Sequence, residues 1–92
     1  MSQFAVYRVK DQTKAPWQLS YFDVLEQKIS IRDQDYKQIY LKNAKEWKNA
    51  MEIWKHLQNT LKISDVLAIN QNGEVSTYYM DADGPHKISG FF

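Results

Sequence analysis

The chain is 92 residues long with a formal net charge of +1, too balanced to name a partner by electrostatics alone. It contains no cysteine, which excludes disulfides, thiol catalysis and cysteine-ligated metal. Its 43% apolar and 14% aromatic content argue against disorder, and no apolar run approaches the ~18 residues of a membrane span.

In chain order, Gln3 to Lys10 alternates, with Phe4, Val6 and Arg8 facing one way and Ala5, Tyr7 and Val9 the other, which predicts a half-buried strand. Asp11 to Pro16 is a polar connector closed by proline. Ser20 opens a short helix with Asp23 as a capping-box-like partner, and Phe22, Leu25 and Ile29 are expected to point inward from it. A polar bridge follows through Arg32, Asp33 and Asp35. Tyr36 to Leu41 predicts a strand, with Tyr36 and Tyr40 on one side and Ile39 and Leu41 on the other.

Residues 43–61 carry the clearest helical pattern. Trp47, Ala50, Met51, Trp54, Leu57 and Leu61 fall within one apolar stripe, interrupted only by Gln58. Lys48, Glu52, Lys55, His56 and Asn59 take the opposite face, and Asn43 is the expected N-cap. Three β runs follow, at about Asp65–Asn70, Glu74–Met80 and Lys87–Phe92. Asn72-Gly73 supplies the first turn between them and Asp83-Gly84-Pro85 the second.

The expected fold is α+β, a single domain over residues 1–92. A mostly antiparallel sheet, made of the C-terminal three-stranded meander and the N-terminal strands, packs against one long and one short helix. The order β-α-β-α-β-β-β places those helices on one face of the sheet.

Charge is distributed unevenly. Residues 37–62 carry six lysines against Glu46 and Glu52, whereas residues 63–92 carry Lys87 against Asp65, Glu74, Asp81 and Asp83. Lysines interleaved with Tyr36, Tyr40, Trp47 and Trp54 could bind nucleic acid by phosphate contact and stacking. The tryptophans, however, share the buried stripe and the lysines its opposite face, so a solvated face is the better reading.

No catalytic or cofactor-binding constellation is present. His56 and His86 are far apart in sequence, and Glu52 one turn before His56 supplies too few ligands for a metal. Ser64-Asp65 has no neighbouring histidine and is better read as a strand-start cap or Asx-type turn. Asp81 and Asp83 open like a calcium loop, but the remaining ligands are missing. With Gly73, Gly84 and Gly90 as its only glycines, the chain has no phosphate-binding loop.

Ile63-Ser64-Asp65-Val66, followed by Asn70-Gln71-Asn72-Gly73, Tyr78-Tyr79, Asp81, Gly84 and a terminal Phe, resembles the YodL-like family. Ala5-Val6-Tyr7 and Tyr36-Lys37-Gln38-Ile39-Tyr40 extend that resemblance over nearly the whole chain. Pro85 departs from it, standing where the family commonly has an aromatic after Gly84, and the middle helix joins the Ser-Asp segment by a shorter connection. The resemblance implies a mobile-genetic-element setting in conjugative transposons or phages, and no catalytic residues to carry over.

The expected function is therefore that of a small non-catalytic protein-binding module. In that setting it would be a stoichiometric inhibitor of a host defence nuclease, of anti-CRISPR or anti-restriction type. A nucleic-acid-binding accessory module of a conjugative element or phage is the alternative. Tyr78, Tyr79, Phe92, Lys48 and Lys55 are the expected partner-binding residues, because aromatic anchors and lysine stems commonly dominate such contacts. No catalytic, cofactor-binding or metal-ligating residue is expected, and no cofactor. Met1-Ser2-Gln3-Phe4 lacks a basic region followed by an apolar stretch, so a cytoplasmic location is expected.

Overall fold

The computed structural model describes residues 2–43 and 49–92. The alternating opening forms β1 (Ser2–Val9), and Ser20 caps α1 (Tyr21–Glu26) by accepting from the Asp23 N–H. A 3-10 turn at Asp33–Asp35 leads into β2 (Tyr36–Asn43) and then α2 (Ala50–His56). The meander β3 (Val66–Gln71), β4 (Glu74–Asp81) and β5 (Gly84–Ile88) completes an α+β fold. All five strands pair antiparallel in the order β2-β1-β3-β4-β5. Because β1 lies inside the sheet, Phe4 and Val6 are buried on one face and Ala5 and Val9 on the other, not on one face alone.

The two helices sit on opposite faces, correcting the one-face expectation. Under α2, Ala50, Ile53 and Leu61 pack on Phe4, Val6, Leu67, Ile69 and Met80, with Tyr40, Trp54, Leu57 and Tyr78 half-buried around them. Asn49 is the N-cap of this helix, accepting from the Glu52 N–H, while Asn43 closes β2 instead. Trp47 lies outside the described residues. The centre of the buried stripe is Ile53, at 1% exposure, whereas Trp54 is only half-buried and Met51 is exposed.

On the other face Val9, Tyr36, Val66 and Phe91 form a second cluster, flanked by Tyr7, Trp17, Ile31 and Ile88. α1 lies on this face, where Tyr21 packs against Tyr79 with ring centroids 5.7 Å apart. Val24 is its buried residue, and Phe22 and Leu25, expected inside, are exposed. The chain leaves α1 in a Schellman turn, with the Ile29 N–H donating to Val24 O and the Lys28 N–H to Leu25 O. That turn folds Ile29 back beside Val24, so the apolar side of the helix runs through Val24 and Ile29 and not through Phe22 and Leu25.

A second correction concerns β2. The β1–β2 register shifts between Val6 and Tyr7, pairing Val6 with Tyr40 but Tyr7 with Gln38 and leaving Ile39 as an extra residue. One extra residue reverses the alternation. Tyr36 therefore joins Val9 and Phe91 on one face, while Tyr40 packs against Phe4 on the other at 5.8 Å between ring centroids. β5 is also displaced, pairing from Gly84 to Ile88 and leaving Phe91 free to turn into the core. Pro85 is tolerated there because β5 is an edge strand.

The Asn72-Gly73 turn forms as expected. Gln71 pairs with Glu74, and Asn72 and Gly73 have φ of 54° and 87°, the two positive angles a type I′ turn requires. The Ala82-Asp83 turn joins β4 to β5 in the same two-residue way, with Asp81 paired to Gly84.

A partly buried ion pair joins β1 to the residue just before β3. Arg8 reaches from β1 to Asp65, its Nε donating to Oδ1 at 3.0 Å and its Nη2 to Oδ2 at 2.8 Å. The Asp65 side chain is wholly inaccessible, and it also accepts the Lys62 N–H at 2.9 Å. Arg8→Ala should destabilise the fold by about 3–5 kcal/mol, because it strands a buried charge. The joint replacement Arg8→Met with Asp65→Leu should recover most of that loss in a urea-denaturation double-mutant cycle. Ile53→Ala should cost roughly 2–5 kcal/mol and more than Trp54→Ala, measured in the same way.

Candidate functional site

The sheet face that carries α1 is only partly covered. The segment from Pro16 to Ile31 closes one half, and the C-terminal residues cross the middle. Phe91 anchors that crossing: its ring meets Tyr36 and Tyr7 edge-on at 5.3 and 5.4 Å, and its carbonyl accepts the Asp33 N–H at 2.7 Å. Phe92 stands outward as the exposed ring of the pair, lying edge-on to Tyr7 at 5.6 Å. Gly90, with φ of 74°, allows the chain to reverse just before them, and nothing lies within 4 Å of where its Cβ would be.

On either side of this ridge the surface is concave. Between the ridge and the hairpin end of the sheet, a hollow of about 170 Å³ is floored by Ala5 and Ala68 and rimmed by Leu41, Val75, Tyr7 and Phe92. A second hollow, of about 430 Å³, runs along Val75, Thr77, Ile88 and Phe92. A third, of about 350 Å³, lies between α1 and the end of β5, lined by Val24, Leu25, Ile29, Ile31, Arg32 and Lys87. The first two share Val75 and Phe92, and the last two share Lys87, Ile88, Ser89 and Gly90, so the three form one band. Among the described residues, four of the seven exposed large apolar side chains, Leu25, Leu41, Val75 and Phe92, lie along it.

The chain belongs to the YodL-like domain family. That family's model matches residues 3–91, nearly the whole chain. No curated protein and no solved structure matches the chain significantly.

The structure separates the residues expected to bind a partner. Phe92 lies on the band. Lys55 sits in the last turn of α2, on the opposite side of the sheet. Tyr78 is half-buried beneath α2. Tyr79 is fully buried, its hydroxyl donating to Leu19 O at 2.6 Å, so it belongs to the core and not to a contact surface. The two tyrosines do alternate between faces, but both faces are covered at that point of β4. Lys48 lies outside the described residues. The exposure of Leu25, Leu41 and Val75 has no signature in sequence, and only the fold brings them together.

The remaining polar candidates have structural partners. The Ser64 Oγ accepts the Gln18 N–H at 3.0 Å and its carbonyl accepts the Tyr36 hydroxyl at 2.7 Å. Asp65 turns back to Lys62, as a cap would, and also binds Arg8, a contact 57 positions away that local pattern does not reveal. Asp81, Asp83 and His86 form the one group of metal-competent side chains among the described residues, with donor atoms within 4.8 Å. Asp81 accepts the N–H groups of Tyr21 and Ala82, and His86 Nε2 lies 2.7 Å from Asp83 Oδ1. That hydrogen bond holds the Asp83 carboxyl below the usual carboxylate range. The Tyr21 ring stacks on His86 at 4.6 Å, so this cluster fastens α1 to the β4–β5 hairpin.

Burial pushes the hydroxyls of Tyr36 and Tyr79 far above the ordinary tyrosine range, helped by the charges of Asp65 and Asp81 nearby. Because both folded values lie above the unfolded one of about 10, their contribution to stability is complete below that pH and is lost as pH rises beyond it. Tyrosinate absorbance should show both residues ionising only together with unfolding. Tyr36→Phe should make stability fall less steeply above pH of about 10.

Proposed function

We propose that this YodL-like domain is a small protein-binding module that holds its partner against the apolar band crossed by Phe92. The observation that carries this reading is the gathering of Leu25, Leu41, Val75 and Phe92 along one continuous concave surface. Contiguous exposed apolar surface commonly marks an interaction site, whereas scattered exposed residues do not. One side of a specific interface takes about 800 Å², which the total surface of 5937 Å² can supply from one face.

The role is binding without chemistry. The most deeply buried polar groups, Ser64 and Asp65, are engaged in holding the fold, and no buried side-chain polar atom among the described residues lacks a partner. In the mobile-element setting implied by the resemblance, and in the cytoplasm expected from the N-terminal sequence, the proposed partner is a host defence nuclease. A CRISPR effector or restriction enzyme held stoichiometrically would fit that setting. No described helix is long and apolar enough to cross a membrane.

The test begins with the purified candidate nuclease and the wild-type chain, where inhibition should saturate at a fixed molar ratio. Val75→Asp and Phe92→Asp should each weaken binding by at least about tenfold, as expected for a residue near the centre of an interface. Lys55→Ala should bind as the wild type does. Retained binding by both band variants would overturn the reading, as would turnover of any substrate. Binding of DNA or RNA that weakens steeply with salt would favour the nucleic-acid alternative.

A further inference from the structure

The Asn72-Gly73 turn carries a chemistry that its fold-forming role does not use. In an Asn-Gly pair the side-chain amide is open to attack by the next backbone nitrogen, because glycine has no Cβ to crowd the approach. The other asparagines, Asn43, Asn49, Asn59 and Asn70, are each followed by a residue that carries a Cβ. Asn72 and Gly73 are both exposed, and nothing lies within 4 Å of where a Cβ on Gly73 would be, so water reaches the turn freely. The Gly73 N–H stands outside the ladder, which closes with the Gln71–Glu74 pair. It donates instead across the turn to Asn70 Oδ1, at 3.2 Å.

We infer that Asn72 is a site of spontaneous deamidation and that Asn70 restrains the reaction by holding the Gly73 N–H. In the first step the Gly73 nitrogen loses its proton to solvent base and bonds to Asn72 Cγ. The Cγ–Nδ2 bond then breaks, and Nδ2 takes up a proton and leaves as ammonia. Water opens the resulting succinimide: cleavage at Cγ gives aspartate, and cleavage at the backbone carbonyl gives isoaspartate. The proton that must leave is the one that Asn70 Oδ1 holds. The closed turn therefore slows the first step, and local opening of the hairpin tip releases it. The two products differ in consequence. Aspartate tolerates the positive φ of 54° at this position. Isoaspartate adds a methylene to the main chain, which a two-residue turn between paired Gln71 and Glu74 does not accommodate.

The full chain, held at mildly alkaline pH, is followed by peptide mapping with mass spectrometry. Deamidation should appear at Asn72 ahead of the other asparagines, as a mixture of aspartate and isoaspartate. Folded Asn70→Ala should react about two- to tenfold faster, the span that loss of one ordinary hydrogen bond allows. Asn70→Asp, which keeps an acceptor in the same place, should react no faster than the wild type. In urea that unfolds the chain, the wild type and Asn70→Ala should share one rate, faster than that of the folded protein. First reaction at another asparagine overturns the site. An unaltered rate in folded Asn70→Ala, a faster rate in Asn70→Asp, or a difference that persists in urea overturns the role of Asn70. Where circular dichroism shows Asn70→Ala to be unfolded, the rate of Asn70→Asp against the wild type decides alone.

Discussion

The buried carboxylate of Asp65 is the constraint around which the layers are arranged. A charge removed from water costs several kcal/mol unless its partners are placed with good geometry. Here one comes from far along the chain, the guanidinium of Arg8 on β1, and the other from the residue's own turn, the Lys62 N–H. Arg8 also donates to Thr60 O, which fixes the chain's return from α2. The Asp65 carbonyl accepts the Met80 N–H, tying β4 to the same point. Next to it Ser64 holds a φ of 84°, a conformation that costs a non-glycine residue about 1–3 kcal/mol. Ser64 can keep it because its N–H, hydroxyl and carbonyl are all engaged, by Met80, Gln18 and Tyr36.

The same pair of residues explains the uneven cover of the sheet. Gln18 and Tyr36 bring the segments around α1 and β2 to Ser64, at the end of the sheet where β3 begins. Cover is therefore concentrated there, and among the described residues the opposite end of that face, towards Asn72-Gly73, receives only the C-terminal ones. Small side chains at Ala5 and Ala68, directly opposed in the β1–β3 ladder, keep the uncovered part hollow. The band is the surface left when one end of a sheet is tied down tightly and the other is not.

Features encoded by neighbouring residues were legible in the sequence. The Asn72-Gly73 turn, the Ser20 cap and the existence of both helices all follow from local pattern. What escaped depends on partners far along the chain. The register shift at Ile39 exists only relative to β1, so the sequence of β2 alone gives no reason to place Tyr36 and Tyr40 on different faces. The inward side of α1 was misjudged because Phe22 and Leu25 are the more apolar pair, yet Val24 is the buried residue of the helix and Tyr21 the one that packs on Tyr79. The Asp81–Asp83–His86 cluster and the exposed band are likewise products of assembly. Two of the band's residues, Leu41 and Val75, come from different strands separated by β1 and β3.

The bulge at Ile39 has a bearing on how this sheet meets other chains. A five-stranded open sheet has two unpaired edges, each a template on which a foreign strand could add and from which fibrils could grow. At the β2 edge the bulge twists the strand, and exposed Lys37 and Lys42 flank it. At the β5 edge the strand is only five residues long and carries Pro85, which has no N–H to offer. Both margins are poor templates for strand addition. That leaves the flat of the sheet as the way in, so a partner would be gripped by side chains and not by backbone ladders, and the domain can expose an apolar band without polymerising along its edges.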